Sequence, residues 1–135
     1  MNQQRLKNPK AKAVENIPVF DSDSNPQIAN LNYDLCILKI TLQFPILEYP
    51  VYLIFDSVCG FRLLDEQDLI PLWNLENAPE SWLWKIEQAG WLDLERSRDG
   101  FFSGLTDRYT EYFVLGIDDC VSVISDRKPK LYIPQ

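Results

Sequence analysis

The sequence predicts an α+β domain built on a mostly antiparallel β-sheet of five to seven strands, with one short helix packed on a face. Three observations predict it. Short apolar segments of strand length recur along the chain and are bounded by Pro, Gly and Asp turns. The order of elements (strands, one helix, then two hairpins) lacks the βαβ alternation of a parallel sheet. At 135 residues, 46% hydrophobic and 13% aromatic, the chain suits one globular domain with its own core.

The first strands follow a polar segment. Residues 20–32 contain the run Asp-Ser-Asp-Ser-Asn-Pro and predict a loop. Residues 32–44 are apolar on both parities near their middle, which predicts one strand covered on both faces. Residues 51–55 and 58–64 predict two more strands, and Gly60 marks a bend or bulge in the second.

One segment, residues 65–73, predicts the helix. Asp65 is a favourable N-cap, and Asp68 lies where an acidic side chain would reach back towards the cap. Pro71 limits the helix to a short or bent one. The apolar stripe of this helix is Leu69, Leu72 and Trp73.

Two hairpins are predicted after the helix. In the first, residues 82–87 and 91–95 alternate in polarity about a turn at 88–90, which places Trp82 and Trp84 on one face of their strand. In the second, residues 111–117 and 120–125 flank Asp118 and Asp119, and a terminal strand is predicted over 130–133.

Charge is distributed unevenly along the chain. Residues 1–15 carry four basic side chains and one acid and predict a flexible cationic tail, while residues 16–135, the predicted globular domain, carry nine basic side chains and nineteen acids. An acidic body repels phosphate backbones and anionic membranes, so the sequence predicts a basic protein partner, no nucleic acid and no membrane. No apolar run reaches the roughly 18 residues of a transmembrane helix, and the polar N-terminus predicts no secretory signal, hence a cytoplasmic protein.

Catalytic and metal chemistry find little support. The chain has no histidine, which excludes Ser–His and Cys–His pairs, and it has no phosphate-binding or nucleophile-elbow motif. Cys36, Cys59 and Cys120 are too few for a structural zinc site and predict buried free thiols. The sequence therefore predicts no metal, no cofactor and no enzyme activity.

Carboxylates are the remaining candidates for chemistry, because paired carboxylates serve as general acid and base in some hydrolases. Each group has a simpler structural interpretation: a helix cap, outward strand positions, or a turn. The three groups are Asp65/Glu66/Asp68, Asp93/Glu95 and Asp118/Asp119.

Four tryptophans within nineteen residues are the most unusual feature of the sequence. They fit either a core that packs against the helix or an aromatic binding patch ringed by acids. Residues 65–119 favour the patch, with thirteen acids against four basic side chains. The predicted partner-binding set is Asp65, Glu66, Asp68, Trp73, Glu80, Trp82, Trp84, Trp91, Asp93, Glu95, Asp118 and Asp119.

Three segments carry a family resemblance: Gly60–Leu69, Gly90–Glu95, and Glu111–Gly116 leading to Cys120–Val123. Together they resemble a group of small, largely uncharacterised bacterial proteins, some of which look like immunity proteins of polymorphic or contact-delivered toxins. The resemblance covers roughly residues 50–126 and concerns structural motifs, so it transfers no catalytic residue. It implies a small cytoplasmic protein that needs no cofactor and neutralises a cognate toxin by direct contact.

Three functions remain as hypotheses. The first is a toxin-neutralising inhibitor, the second an adaptor that stabilises another protein without inhibiting it, and the third a small carboxylate-dependent hydrolase. A neighbouring toxin gene would separate the first from the second, and activity of the isolated protein would support the third.

Overall fold

The computed structural model describes residues 9–18, 20, 25–65, 79–100 and 108–134. Within them lie nine strands and one short helix, which confirms the predicted α+β, mostly antiparallel class with more strands than expected. None of the described helical structure is long and apolar enough to cross a membrane. The elements are β1 (Lys10–Ala13), β2 (Gln27–Tyr33), β3 (Leu38–Gln43), β4 (Val51–Phe55), β5 (Val58–Asp65), β6 (Leu83–Gln88), α1 (Trp91–Arg96), β7 (Thr110–Leu115), β8 (Asp119–Ser125) and β9 (Lys130–Tyr132).

The strands form two antiparallel sheets that share one core. The five-stranded sheet has the order β1-β6-β7-β8-β5, and the four-stranded sheet has the order β2-β3-β4-β9. Because side chains alternate between the faces of a strand, every second residue of β3 and β4 points inwards and is buried. These residues pack against the inner face of the five-stranded sheet. The shared core includes Leu38, Ile40, Leu42, Val51, Leu53, Phe55, Leu83, Tyr112, Val114, Val121 and Val123.

Several predicted strands are confirmed. β4 and β9 lie where the sequence predicts them, and β7 and β8 form the predicted hairpin around the turn at 116–118. β5 pairs with β8, and their register shifts between Val58 and Gly60, the predicted site of a bulge. These segments share strong period-2 patterns and clear turn residues at both ends.

The single strand predicted over 32–44 is wrong, because the chain turns at residues 34–37. Asp34 Oδ1 accepts hydrogen bonds from the backbone N–H groups of Cys36 (2.9 Å) and Ile37 (2.7 Å), and Leu35 has a positive φ of 77°. This local turn reverses the chain, so β2 and β3 pair as a hairpin. β2 also occupies residues 27–32, the second part of the segment predicted as a loop over 20–32.

The predicted first hairpin and the predicted role of Asp65 as a helix N-cap need correction as well. Residues 91–95, predicted as a strand, form α1, and β6 pairs with β1 and β7 instead. Asp65, the predicted helix cap, is the last residue of β5 and lies opposite Asp119 of β8. The rest of that predicted helix, residues 66–73, lies outside the described residues.

The prediction of a tail over residues 1–15 does not hold for Lys10–Ala13, which form β1 at the edge of the five-stranded sheet. The Lys-Ala-Lys-Ala run has period 2, and its alanines lie opposite Ile86 and Trp84 of β6. Residues 1–8 lie outside the described residues. The cysteine prediction holds only for Cys120, because Cys36 and Cys59 are exposed.

Candidate functional site

The predicted tryptophan patch divides between two sides of a sheet. Trp82 lies in the core between the sheets, where its ring is 5.3 Å from that of Phe44 and its Nε1 donates to the Pro18 carbonyl at 2.9 Å. Trp84 lies on the outer face of the five-stranded sheet with Phe113, and its Nε1 donates to the Ser81 carbonyl at 2.8 Å. Both side chains are 2% exposed. The prediction that they share one face is wrong, since β6 begins after Trp82.

Trp91 is half-buried and lies on the outer face of the same sheet, at the start of α1. The guanidinium of Arg62 is 5.0 Å from the centre of the Trp91 ring. The indole Nε1 of Trp91 donates a hydrogen bond to Glu95 Oε1 at 3.2 Å. Its Cη2 is 3.5 Å from where a Cβ on Gly60 would lie, an ordinary contact distance. Of the four tryptophans, Trp91 is the described one with partial exposure, while Trp73 lies outside the described residues.

The predicted acidic residues separate into two groups at opposite ends of the five-stranded sheet. Asp65 lies opposite Asp119 at the ends of β5 and β8, and Asp118 lies in the β7–β8 turn beside them. Asp93 and Glu95 belong to α1, near the start of β7 at the other end. The six residues of β7 separate the two groups by roughly 17 Å. Glu66 and Asp68 lie outside the described residues.

Two further acids join the first group through the topology. The N–H of Val14 bonds to the Leu83 carbonyl, which places Glu15 at this end, and the β3–β4 loop brings Glu48 there beside Phe44. We call this end the acidic end. Its acids are Glu15, Glu48, Asp65, Glu80, Asp118 and Asp119. Sequence reasoning missed Glu15 and Glu48, because only strand pairing shows that they lie near the β7–β8 turn.

Basic side chains lie away from the acidic end. Among residues 9–18, 25–65, 79–100 and 108–134, no Lys or Arg belongs to the loops and strand ends that form it. Elsewhere acids and bases mix, and five acids have a Lys or Arg nitrogen within 4.0 Å. These are Asp56, Glu87, Asp93, Glu95 and Asp126. Among the described residues, acids without interspersed Lys or Arg are therefore concentrated at one end of the five-stranded sheet.

The acidic end also exposes apolar side chains. Ile46 and Tyr49 in the β3–β4 loop are 61% and 44% exposed, and Ile117 in the β7–β8 turn is 45% exposed. The N–H of Ile117 bonds to the Pro26 carbonyl at 3.0 Å, which ties the turn of one sheet to the start of β2 in the other. Both sheets thus contribute to a surface that combines negative charge with exposed apolar groups.

A cleft of about 260 Å³ lies at the opposite end of the sheet, between α1, the last residues of β6 and the first residues of β7. Glu111 lies at the cleft and is 2% exposed, and its Oε1 accepts a hydrogen bond from the Leu92 N–H at 2.8 Å. Burial raises the pKa of Glu111 above its ordinary value, while the N–H groups of α1 and the charge of Arg62 oppose that rise. The cleft is lined by Lys85, Ile86, Glu87, Gln88, Gly90, Leu92, Asp93, Arg96, Tyr109, Thr110 and Glu111.

Two polar groups on the outer face of the five-stranded sheet remain without hydrogen bonds. Arg62 of β5 lies opposite Ser122 of β8, and neither Arg62 Nε nor Ser122 Oγ has a partner in the part of the chain that the structure describes. Burial lowers the pKa of Arg62, and the charges of Glu111 and Glu95 oppose that shift. Glu111 and Arg62 thus place opposite charges on this largely apolar face.

Metal chemistry gains no geometric support, since the described ranges contain no group of three His, Cys, Asp or Glu residues that could hold an ion. No protein-family model, curated protein or solved structure matches the chain.

The buried Glu111 carboxylate makes a testable prediction about pH. Because the pKa of Glu111 is raised in the folded state, the unfolded chain loses this proton first as the pH rises. The raised pKa of Glu111 therefore adds to the free energy of unfolding, and this stabilising contribution is fully present below the ordinary glutamate pKa. That contribution is lost as the pH rises through the raised pKa. We expect Glu111→Gln, which keeps an acceptor for the Leu92 N–H, to flatten this part of the stability–pH curve. Urea denaturation at a series of pH values measures it, and identical curves for both proteins would contradict the expectation.

Proposed function

We propose that this chain is a cytoplasmic, toxin-neutralising protein of the immunity type, which captures a basic protein partner by direct contact. The observation that supports it is the acidic end, where six acids lie at the same end of the fold as three exposed apolar side chains and no described Lys or Arg belongs to the loops that form it. The proposal needs no cofactor. It moves the predicted contact surface from the tryptophans to the acidic end.

Charge and apolar surface have separate roles in this proposal. A negative field attracts a cationic protein at a distance and raises the rate of association, whereas desolvated apolar contacts slow dissociation. Ile46, Tyr49 and Ile117 are the side chains placed to provide such contacts. Trp82 and Trp84 are buried, so they support the fold beneath this surface and do not touch a partner.

An adaptor could use the same surface, so the test must include inhibition. The chain serves as bait in the native host beside a matched bait with Glu80→Gln, Asp118→Asn and Asp119→Asn, and captured proteins are identified by mass spectrometry. We expect a basic protein that the parent retains and the variant loses, and whose toxic activity the purified parent suppresses. A partner whose activity is unchanged would favour the adaptor, and equal capture by both baits would exclude the acidic end.

A further inference from the structure

The cleft beside α1 is a second surface, separate from the acidic end. Its volume of about 260 Å³ is below the roughly 300–1,000 Å³ typical of ligand pockets, so it suits a group the size of one side chain. Ile86 and Leu92 are buried and give it apolar lining, and Tyr109 adds an aromatic ring. These surfaces fit the alkyl stem of a long polar group better than a fully polar ligand.

The charge at this cleft is incompletely balanced. Of its three acids, Glu87 has Lys12 at 4.0 Å and Asp93 has Arg96 at 3.8 Å. Glu111 has no Lys or Arg nitrogen within 4.0 Å among the residues described, although it is the most buried of the three. The described counter-charge that acts on it is Arg62 of β5, which interacts with the charges of both Glu111 and Glu95 and lies 5.0 Å from the Trp91 ring centre. A buried carboxylate without a close ion pair gains most from a cation that completes one.

Other charged groups around Glu111 leave this position open to a cation. Asp93 of α1 adds negative charge, and Arg62 of β5 opposes it. Lys85 and Glu87 of β6 both line the cleft, but they flank Ile86, the residue opposite Glu111, so by strand alternation both side chains belong to the other face of the sheet. Arg96 of α1 is paired with Asp93. Tyr109 precedes β7, and the guanidinium of Arg108, which is also 3.7 Å from Asp126, lies 5.0 Å from its ring centre. Tyr109 therefore contributes apolar lining to the cleft, and Arg108 is engaged by this ring and by Asp126.

We propose that this cleft binds one alkyl-guanidinium or alkyl-ammonium group, whose charged head pairs with Glu111 while its stem lies against Ile86 and Leu92. Two sources share this chemistry: an Arg or Lys side chain of a protein, and a small free cation. The site does not depend on the acidic end, so it stands or fails independently of the proposed function.

The test uses agmatine as the free cation and the peptide acetyl-Gly-Arg-Gly-amide as the side-chain source, each at constant ionic strength. Backbone amide shifts of the full chain are followed by NMR during titration. We expect saturable shifts at Gln88, Leu92 and Thr110, and a fall in the pKa of Glu111, read from its carboxyl carbon, because a cation favours the ionised form. Tighter binding of the peptide would assign the site to a protein side chain, and tighter binding of agmatine to a free cation.

Two variants make the test specific. Glu111→Gln keeps the hydrogen-bond acceptor but removes the charge, and we expect it to weaken binding about tenfold or more. Asp56→Asn removes the same charge from an exposed turn outside the cleft, and binding should persist. Melting curves of both variants check that each one folds. Equal binding by Glu111→Gln and the parent, or shifts confined to the acidic end, would overturn the proposal while leaving the proposed function untouched.

Discussion

Replacing Trp82 by alanine is expected to lower the free energy of unfolding by about 3–5 kcal/mol, the range for removing a large aromatic side chain from a core. Trp82 is 2% exposed and contacts Phe44 across the two sheets. Its loss would also leave the Pro18 carbonyl without the indole N–H that it accepts. Chemical denaturation monitored by circular dichroism measures the change.

Trp91→Ala is the matched control, because Trp91 is half-buried and covers the outer face at Gly60 and Arg62. We expect a smaller loss, about 1–2 kcal/mol, from partial burial and a cation–π contact. Equal losses in the two variants would contradict the placement of Trp82 in the core. The comparison also decides between the two interpretations of the tryptophans, since a binding residue can be removed with little cost to stability.

The elements that the sequence predicts well are those whose signals are local. β5, β7 and β8 combine period-2 patterns with turn residues, and their alternation specifies which face meets the core. The bulge at Gly60 follows from the same logic, because glycine in a strand weakens regular pairing.

Two of the elements that it mispredicts, α1 and β1, depend on partners far along the chain. α1 has no side-chain N-cap bond, and the N–H of Leu92 is satisfied by Glu111, nineteen residues later. No short stretch of sequence around residues 91–96 contains that acceptor. The local pattern of residues 91–95 therefore fits a strand as well as a helix. β1 illustrates the same limit, because four alternating residues become a strand only when β6 offers an edge.

The candidate site was predicted in part for the same reason. Asp118 and Asp119 are adjacent in the sequence, so their shared location follows from the sequence alone. The pairing of β5 with β8 then brings Asp65 beside them. Asp93 and Glu95 were grouped with them by sequence proximity, but the structure places them at the other end of the sheet. The sequence pattern places Glu111 at the start of a strand, and an acid in an otherwise apolar run is also a signal of a buried charge.

Neutralising the acidic end is expected to slow association with a basic partner by about tenfold or more at low salt, because electrostatic steering raises association rates by 10–10³-fold. The variant carries Glu80→Gln, Asp118→Asn and Asp119→Asn, and its dissociation rate should change little. Salt should slow the parent more than the variant, since charges further apart than about 10 Å are largely screened at 0.1 M ionic strength. Surface plasmon resonance at several salt concentrations gives both rates for the partner identified by capture.

The decisive control removes the same net charge from elsewhere. Asp56→Asn, Glu87→Gln and Asp126→Asn neutralise three acids that each lie within 4.0 Å of a basic nitrogen. Both triple variants change the net charge by the same amount, but these three acids lie away from the acidic end. Their removal should therefore alter the field at the acidic end much less than removal of acids within it. If both triple variants slow association equally, net charge alone attracts the partner. If only the acidic-end variant does so, the placement of charge created by pairing β5, β7 and β8 directs the encounter.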